Sequence, residues 1–412
     1  MTALHTEWDD AWLLAGARTP FADLGGPLGL VSPIDLGIKA ARAALAKAGI
    51  DGAEIGHVVA GSVAQASFDA YMLPRHIGLY AGAPVEVPAL LVQRVCGTGI
   101  EAIIQAATAV DRQGAGFALA AGAESMSRNP VAAFTHRGGF GLGAPVEFKD
   151  FLWEALLDPG CGLTMGGTAE ELARRHGISR AEVDAFAARS FERALAARAA
   201  GFFDDEIVPV VNETFARAGL NDRGIHLPRK VESVATDTHP RPSSVEQLAK
   251  IRPAFGGVQT GGNSSAVVDG AAAVVIASGA QAKGRAPLAR LIAATAVGCA
   301  PEVMGIGPVP AIRALVERRG LRLDEIALVE INEAFGAQVM ACARELALDE
   351  ARLNVNGGSI AIGHPLAASG VRLSLTVARE LARRGARYGI ASACIGGGQG
   401  IALLLENPHG HA

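Results

Sequence analysis

The sequence predicts an α/β fold of two similar halves, with a further segment inserted into the first. Three observations carry this. Runs rich in Val, Ile and Ala alternate with Ala/Leu/Arg runs of helical period, the pattern of βα units around mostly parallel, buried sheets. The chain also overlays on itself when displaced by 271 positions: Gly49 falls on Gly320, Glu54 on Glu325, Ile55 on Ile326, Val58 on Val329, Gly99 on Gly370 and Gly114 on Gly385. Finally, Gly numbers 51 in 412 residues and aromatics are only 5%, a composition that lets helices lie close against sheets.

Taken in order, "PIDLGIKAARAALAKAG" (33–49) predicts a helix and "GHVVAGSV" (56–63) a buried strand. "LVQRVCGTG" joins an apolar strand-like run to the helix "GIEAIIQAATAVDRQG" (99–114), followed by the strand "GFALAAGAES" (116–125). Residues 128–265 break the repeat and are too long for a loop, so they predict an inserted domain covering the site. The second half repeats the scheme: helix 306–320, strand "IALVEI", helix 370–385 and strand "YGIASA", which runs into "CIGGGQG". The boundaries are 1–127 plus 266–288 for the first half, 128–265 for the insertion and 289–412 for the second half.

A net charge of -4 and no long run of like charge argue against a nucleic-acid surface. The locally basic "RGIHLPRKVES" is either a solvated loop or a contact for an anionic ligand. Five scattered cysteines without a CxxC pair make a poor disulfide framework and a poor zinc site. The expectation is a reducing cytoplasm, with no signal peptide, membrane span or peroxisomal address.

Four stretches carry the chemistry. Cys96 stands just before a helix, with Gly97 and Gly99 behind it. The helix dipole and free N–H groups there are expected to lower the thiol pKa; the alternative is a small buried Cys packing on a sheet. His364 sits in "IGHPLAASG" at another loop-to-helix junction, either satisfied inside a turn or serving as base to a thiol. The overlay puts Cys96 on Ala367, so the two junctions are equivalent places in the two halves. Asn332 and Glu333 end a strand-like run, where an isolated Asn-Glu pair favours a helix cap over a ligand of the site. Cys394 ends a strand and meets three glycines, which offer either a tight turn or oxyanion-binding N–H groups.

At these residues the sequence resembles the thiolase family. The similarity runs from "GARTPFADLGGPLG" through "AGAESMSRNP", "MGGTAEELARRHGISR" and "INEAFG" to "NGGSIAIGHPLAASG" and "CIGGGQG". The resemblance implies a duplicated five-layer αβαβα fold and a homodimer or homotetramer, with a hydratase/dehydrogenase partner left open. It implies thiolytic cleavage of 3-ketoacyl-CoA, or the reverse Claisen condensation, with CoA as substrate and no metal or other cofactor. Cys96 then matches the nucleophile, His364 its activator, and Cys394 the acid/base thiol. Asn332 matches the holder of a water in one oxyanion hole; the N–H groups of Cys96 and Gly396 form the other. Ser265 matches a serine beside the pantetheine arm, Met165 an acyl-pocket residue, and Arg241 with "HLPRK" plausible contacts to CoA phosphates. Gln93, Thr98, Gly336 and Ala367 depart from the family's frequent residues without removing a reacting group. A decarboxylating ketoacyl synthase is disfavoured by Cys394, and a catalytically dead CoA-binding protein by the survival of Cys96, His364 and Cys394.

Overall fold

The computed structural model describes residues 3–64, 69–134 and 136–411. In the first half, β1 (Ala3–Arg18) leads to α1 (Pro33–Ala48), β2 (His57–Gly61), α2 (Leu73–Tyr80), β3 (Ala89–Val92), α3 (Thr98–Arg112) and β4 (Phe117–Glu124). The inserted segment contains α4 (Phe151–Ala155), α5 (Met165–Arg175), α6 (Arg180–Ala199) and several two-stranded ribbons. The chain returns as β5 (Val268–Ser278). The second half comprises β6 (Ala289–Gly298), α7 (Pro308–Arg318), β7 (Leu328–Ile331), α8 (Gly336–Leu346), α9 (Ser359–Ile362), α10 (Leu366–Arg384), β8 (Tyr388–Ile395) and β9 (Gln399–Glu406).

The duplication is visible strand by strand. β4 and β8 are both eight residues long, and each end of β8 lies 271 positions beyond its counterpart in β4. The strands run in the order β7-β8-β9-β6-β1-β5-β4-β2-β3, so the half-sheets join where β1 pairs with β6. α3 and α10 pack against each other; α10 touches both β4 and β8, and so lies between the half-sheets. α1 and α2 cover the outer face of the first half-sheet, and α7 lies on β6 and β9 of the second. These are the five layers of an αβαβα fold.

One expectation needs correcting. The sheet is mixed: β2–β3, β2–β4 and β7–β8 are parallel, but β5 and β9 run antiparallel to both their neighbours, as does β1 against β6. The reason lies in the connections. β8 and β9 form a hairpin through Gly396–Gly398, and Gly397 and Gly398 take φ values of 85° and 82° that favour glycine. Ala-rich strands such as β4 and β5 are buried on both faces, so they carry no alternation that would have betrayed their direction.

The insertion is clamped to the first half by charge. Arg18 has no exposed surface and pairs with Glu206 at 2.7 Å and with Asp237 at 2.6 Å. Among the described residues, no helix is long and apolar enough to cross a membrane.

Candidate active site

Cys96 lies in the turn between β3 and α3. Arg94 O accepts from Gly97 N at 2.9 Å and Val95 O from Thr98 N at 3.0 Å, so the chain reverses tightly around the thiol. The turn forces Val95 to a φ of 42°, a conformation a β-branched residue rarely takes. Thr98 braces it: its hydroxyl donates to Val95 O at 2.7 Å and accepts from Arg94 N at 2.9 Å. Its methyl occupies the place where a side chain on Gly61 would stand. The departure at Thr98 thus fills space in β2, while Gln93 only bonds Val95 N, at 3.4 Å.

His364 comes from the opposite half, after Gly363 at φ 105°. Its Nδ1 is 2.6 Å from Ser369 Oγ and its Nε2 is 3.3 Å from Asn332 Nδ2. Asn332 Oδ1 accepts from Ser359 Oγ at 2.7 Å. Asn332 and Glu333 are therefore not a helix cap, because α8 starts only at Gly336 with Phe335 at its cap position. Glu333 instead accepts from Ser190 at 2.6 Å and Asn354 at 2.9 Å, deep in the protein.

Cys96 and His364 line one cavity of about 240 Å³ with Met126, Met165, Ser265 and Phe335. Cys394 is fully buried behind its wall, packed with Met165, Met304 and Phe335. Gly396 follows at the β8–β9 turn, where a methyl group would stand 3.1 Å from Met165 Sδ. Arg241 is placed elsewhere: it stacks over the Phe191 ring at 5.4 Å and contacts His239, outside the cavity lining. Arg223 of the basic loop is already paired with Asp35 and Asp69, both at 2.8 Å. A wider hollow of about 560 Å³ between α6 and α8 has its charges paired with one another, Arg189 with Glu350 and Arg344 with Glu182.

The electrostatics overturn one expectation. Burial pushes the Cys96 thiol up to about 11, although the N–H groups of Gly396 and of Cys96 itself pull the other way. At a thiol this deeply buried the helix dipole does not offset desolvation. Burial drives His364 down to about 3, and the Arg372 charge adds to this. The resting pair is thus a thiol beside a neutral imidazole. Cys394 is also raised well above the usual thiol range, first by burial and next by Cys96. Two thiols that influence each other, with N–H groups aimed at one of them, can carry a covalent acyl group and shuttle a proton.

Glu124 ties the halves together here. Its carboxylate accepts from Val63 N, Ala64 N and Ser62 Oγ after β2, and from Ala367 N at 3.2 Å in the first turn of α10. Neither Glu124 nor the lining residues Met126, Met304 and Phe255 were marked by spacing in the sequence. They become visible only when loops from both halves converge.

Residues 12–280 match the family description "Thiolase, N-terminal domain" and residues 285–407 match "Thiolase, C-terminal domain". The chain is 43% identical over 401 residues to a mitochondrial 3-ketoacyl-CoA thiolase of Bos taurus, covering 96% of this chain and 98% of that one. It is 40% identical over 408 residues to an acetyl-CoA acetyltransferase of Pseudomonas aeruginosa, covering 96% and 99% of the two chains. The crystal structure of human mitochondrial 3-ketoacyl-CoA thiolase in complex with CoA superposes with a TM-score of 0.90 at 41% identity, over 97% of this chain and 98% of that one.

Proposed function

The chain belongs to the thiolase family and is an acyltransferase of 3-ketoacyl-CoA chemistry, and from that premise we propose that the acyl group is carried on Cys96. The observation supporting this is the convergence of the Cys96 sulfur, two backbone N–H groups and His364 on one apolar cavity.

In the degradative direction His364 Nε2 takes the Cys96 proton, and the sulfur attacks C3 of the 3-ketoacyl-CoA. The C2–C3 bond breaks, and its electron pair leaves on C2 as the acetyl-CoA enolate. The enolate oxygen is held by His364 Nε2–H and a water on Asn332; Cys394 gives its proton to C2. CoA then enters, Cys394 takes its thiol proton, and the CoA sulfur attacks the acyl carbon. That oxyanion rests on the N–H groups of Cys96 and Gly396. The Cys96 sulfur leaves and recovers its proton from His364. Condensation of two acyl-CoAs is the same path reversed. Cys96, His364 and Cys394 handle every proton and electron pair, so the scheme calls on CoA as a substrate and on no metal or other cofactor.

Ser265 is assigned to the pantetheine arm and Met165 to the acyl pocket, in keeping with their places in the cavity lining. Arg241 and the exposed Arg229 and Lys230 are assigned to the CoA phosphates at the outer surface. A site built on two reduced thiols fits a reducing compartment, which we take to be the cytoplasm, and assembly as a homodimer or homotetramer is part of the same proposal.

The test is mass spectrometry of enzyme mixed with acetoacetyl-CoA without free CoA. An added acetyl group on the peptide holding Cys96, missing in Cys96→Ala, is the expected result. Turnover by Cys96→Ala would remove the nucleophile assignment. Cys394→Ala is expected to form the acyl-enzyme from acetoacetyl-CoA more slowly than the parent, because the departing enolate loses its proton donor, and to exchange the C2 protons of acetyl-CoA at least ~100-fold more slowly.

A further inference from the structure

We propose that Ser359 and Arg372 are positioning residues that hold His364 in the tautomer with its proton on Nδ1, leaving Nε2 as the base facing the site. The proposal rests on the reading of His364 as the base for Cys96. It concerns how that base is prepared, and neither residue touches substrate in the scheme above.

The direction of each hydrogen bond in this chain fixes the tautomer. Arg372 is only 1% exposed, and its guanidinium can only donate. It gives one N–H to Glu330, at 3.3 Å, and another from Nη2 to Ser359 Oγ, at 3.2 Å. Ser359 has no exposed surface, and its hydroxyl has a single hydrogen to place. With Arg372 donating to the oxygen, that hydrogen goes to Asn332 Oδ1 at 2.7 Å. The amide is thereby oriented, and its NH2 group faces His364 Nε2 at 3.3 Å. A nitrogen met by a donor has to accept, so Nε2 is unprotonated. The ring proton sits on Nδ1 and is donated to Ser369 Oγ at 2.6 Å.

The opposite arrangement is costly. Turning the Asn332 amide over would give Ser359 two donors and leave its own hydrogen without the acceptor it now has. A buried hydroxyl without an acceptor is disfavoured. A permanently charged residue at the far end of the chain thus sets the direction of each bond down to the imidazole. The contact between Asn332 and Nε2 is the longest side-chain bond that His364 makes, so it is the one given up when Cys96 turns its thiol to the same nitrogen. Asn332 is then free to hold water. This resembles, in logic, the way a buried partner fixes the tautomer of a catalytic His elsewhere.

Nitrogen NMR of the full-length enzyme labelled in its His rings tests this directly, with the His364 signals identified by their loss in His364→Asn. The expected spectrum at neutral pH has His364 protonated on Nδ1 alone. A His364 protonated on Nε2 in the resting enzyme overturns the proposal, whatever any variant does. Ser359→Ala is expected to give a mixture of both tautomers and to lower kcat by at least ~10-fold with KM within about twofold. Ser359→Ala with the parent's tautomer and kcat also overturns it. Ser359→Thr, which keeps the hydroxyl, is expected to restore the Nδ1–H form. A parent that does not thiolyse acetoacetyl-CoA would sink the functional reading instead, and the NMR result would still decide the tautomer.

Discussion

Gly99 in α3 and Gly370 in α10 meet backbone to backbone: a methyl group built on Gly99 would stand 2.9 Å from Gly370 Cα, and one built on Gly370 would stand 3.0 Å from Gly99 Cα. This crossing joins the two halves of the fold in the central layer. Cys96 lies three residues before one partner, and His364 lies six before the other. The distance between nucleophile and base is therefore set by how closely two helix backbones approach, and glycine sets that approach.

Gly99→Ala is expected to be more damaging than an ordinary surface change. Its Cβ would meet Val371 N at 2.5 Å and Ala367 O at 2.6 Å, backbone atoms that cannot turn aside. Overpacking of this kind costs about 1–3 kcal/mol, so the thermal midpoint should fall by several degrees. Because the helices must separate, kcat/KM for acetoacetyl-CoA should drop at least ~10-fold in the protein that remains folded. A variant with a lowered midpoint and unchanged kcat/KM would show that this crossing does not position the site.

Stability should depend on His364 in acid. The folded protein holds the imidazole neutral down to about 3, while an unfolded chain protonates it near its ordinary value of 6.5. Below 6.5 the unfolded state binds the extra proton, so the stabilisation present at neutral pH is lost as pH falls from 6.5 toward 3. At 1.36 kcal/mol per pH unit, going from pH 7 to pH 5 should cost the parent about 2 kcal/mol more than His364→Asn. Urea unfolding of both proteins at the two pH values measures the difference. Equal losses would mean that His364 is not held neutral by burial.

Much of this site is legible in the sequence. The 271-residue displacement carried Gly99 onto Gly370, and those residues touch. What it could not carry was strand direction, because β4 and β5 are buried on both faces and show no inside–outside alternation. The residues alone favour a cap at Asn332 because its partners, Ser359 and His364, lie 27 and 32 residues away along the chain; only the family resemblance brings it into the site. The raised Cys96 pKa has a related cause. Its position before α3 is read from the sequence, but its burial comes from Leu152 of α4 and Leu366 of α10, which pack on it from far along the chain. Arg372 sits in an ordinary helical run, and nothing in its spacing marks it as the origin of a hydrogen-bond chain.

Thr98 offers a separable test of the turn. Thr98→Ala removes both hydroxyl bonds that hold Val95 at its φ of 42°, so Val95 should relax and move the Cys96 N–H group. A loss of about 1–2 kcal/mol in stability and of ~10-fold or more in kcat is expected. Thr98→Ser keeps the hydroxyl and gives up only the methyl against Gly61, so it should stay within about threefold of the parent kcat. Equal defects in Ala and Ser would point to the methyl packing, and would show that the hydroxyl does not govern the turn.

The acyl chain should be read by α4. Asp150 caps this single turn by accepting from Leu152 N at 3.0 Å and Trp153 N at 3.3 Å, which fixes the directions of the side chains. Leu152 packs on the cluster of Cys96, Met126 and Leu366, while Leu156 packs on that of Met165, Met304 and Phe335. Trp153 lines the cavity yet is 52% exposed, so it stands where the cavity opens. A chain growing from Cys96 through this cavity toward its mouth is expected to reach Trp153 only when several carbons long. Losing that aromatic contact forfeits about 1.5–3 kcal/mol, or roughly 10- to 100-fold in kcat/KM. Trp153→Ala should therefore lose ~10-fold or more on a ten-carbon 3-ketoacyl-CoA while staying within about twofold on acetoacetyl-CoA. The measurement is kcat/KM across even chain lengths from four carbons upward. A uniform loss at every length would place Trp153 against CoA, and no loss at any length would place the acyl chain along another wall.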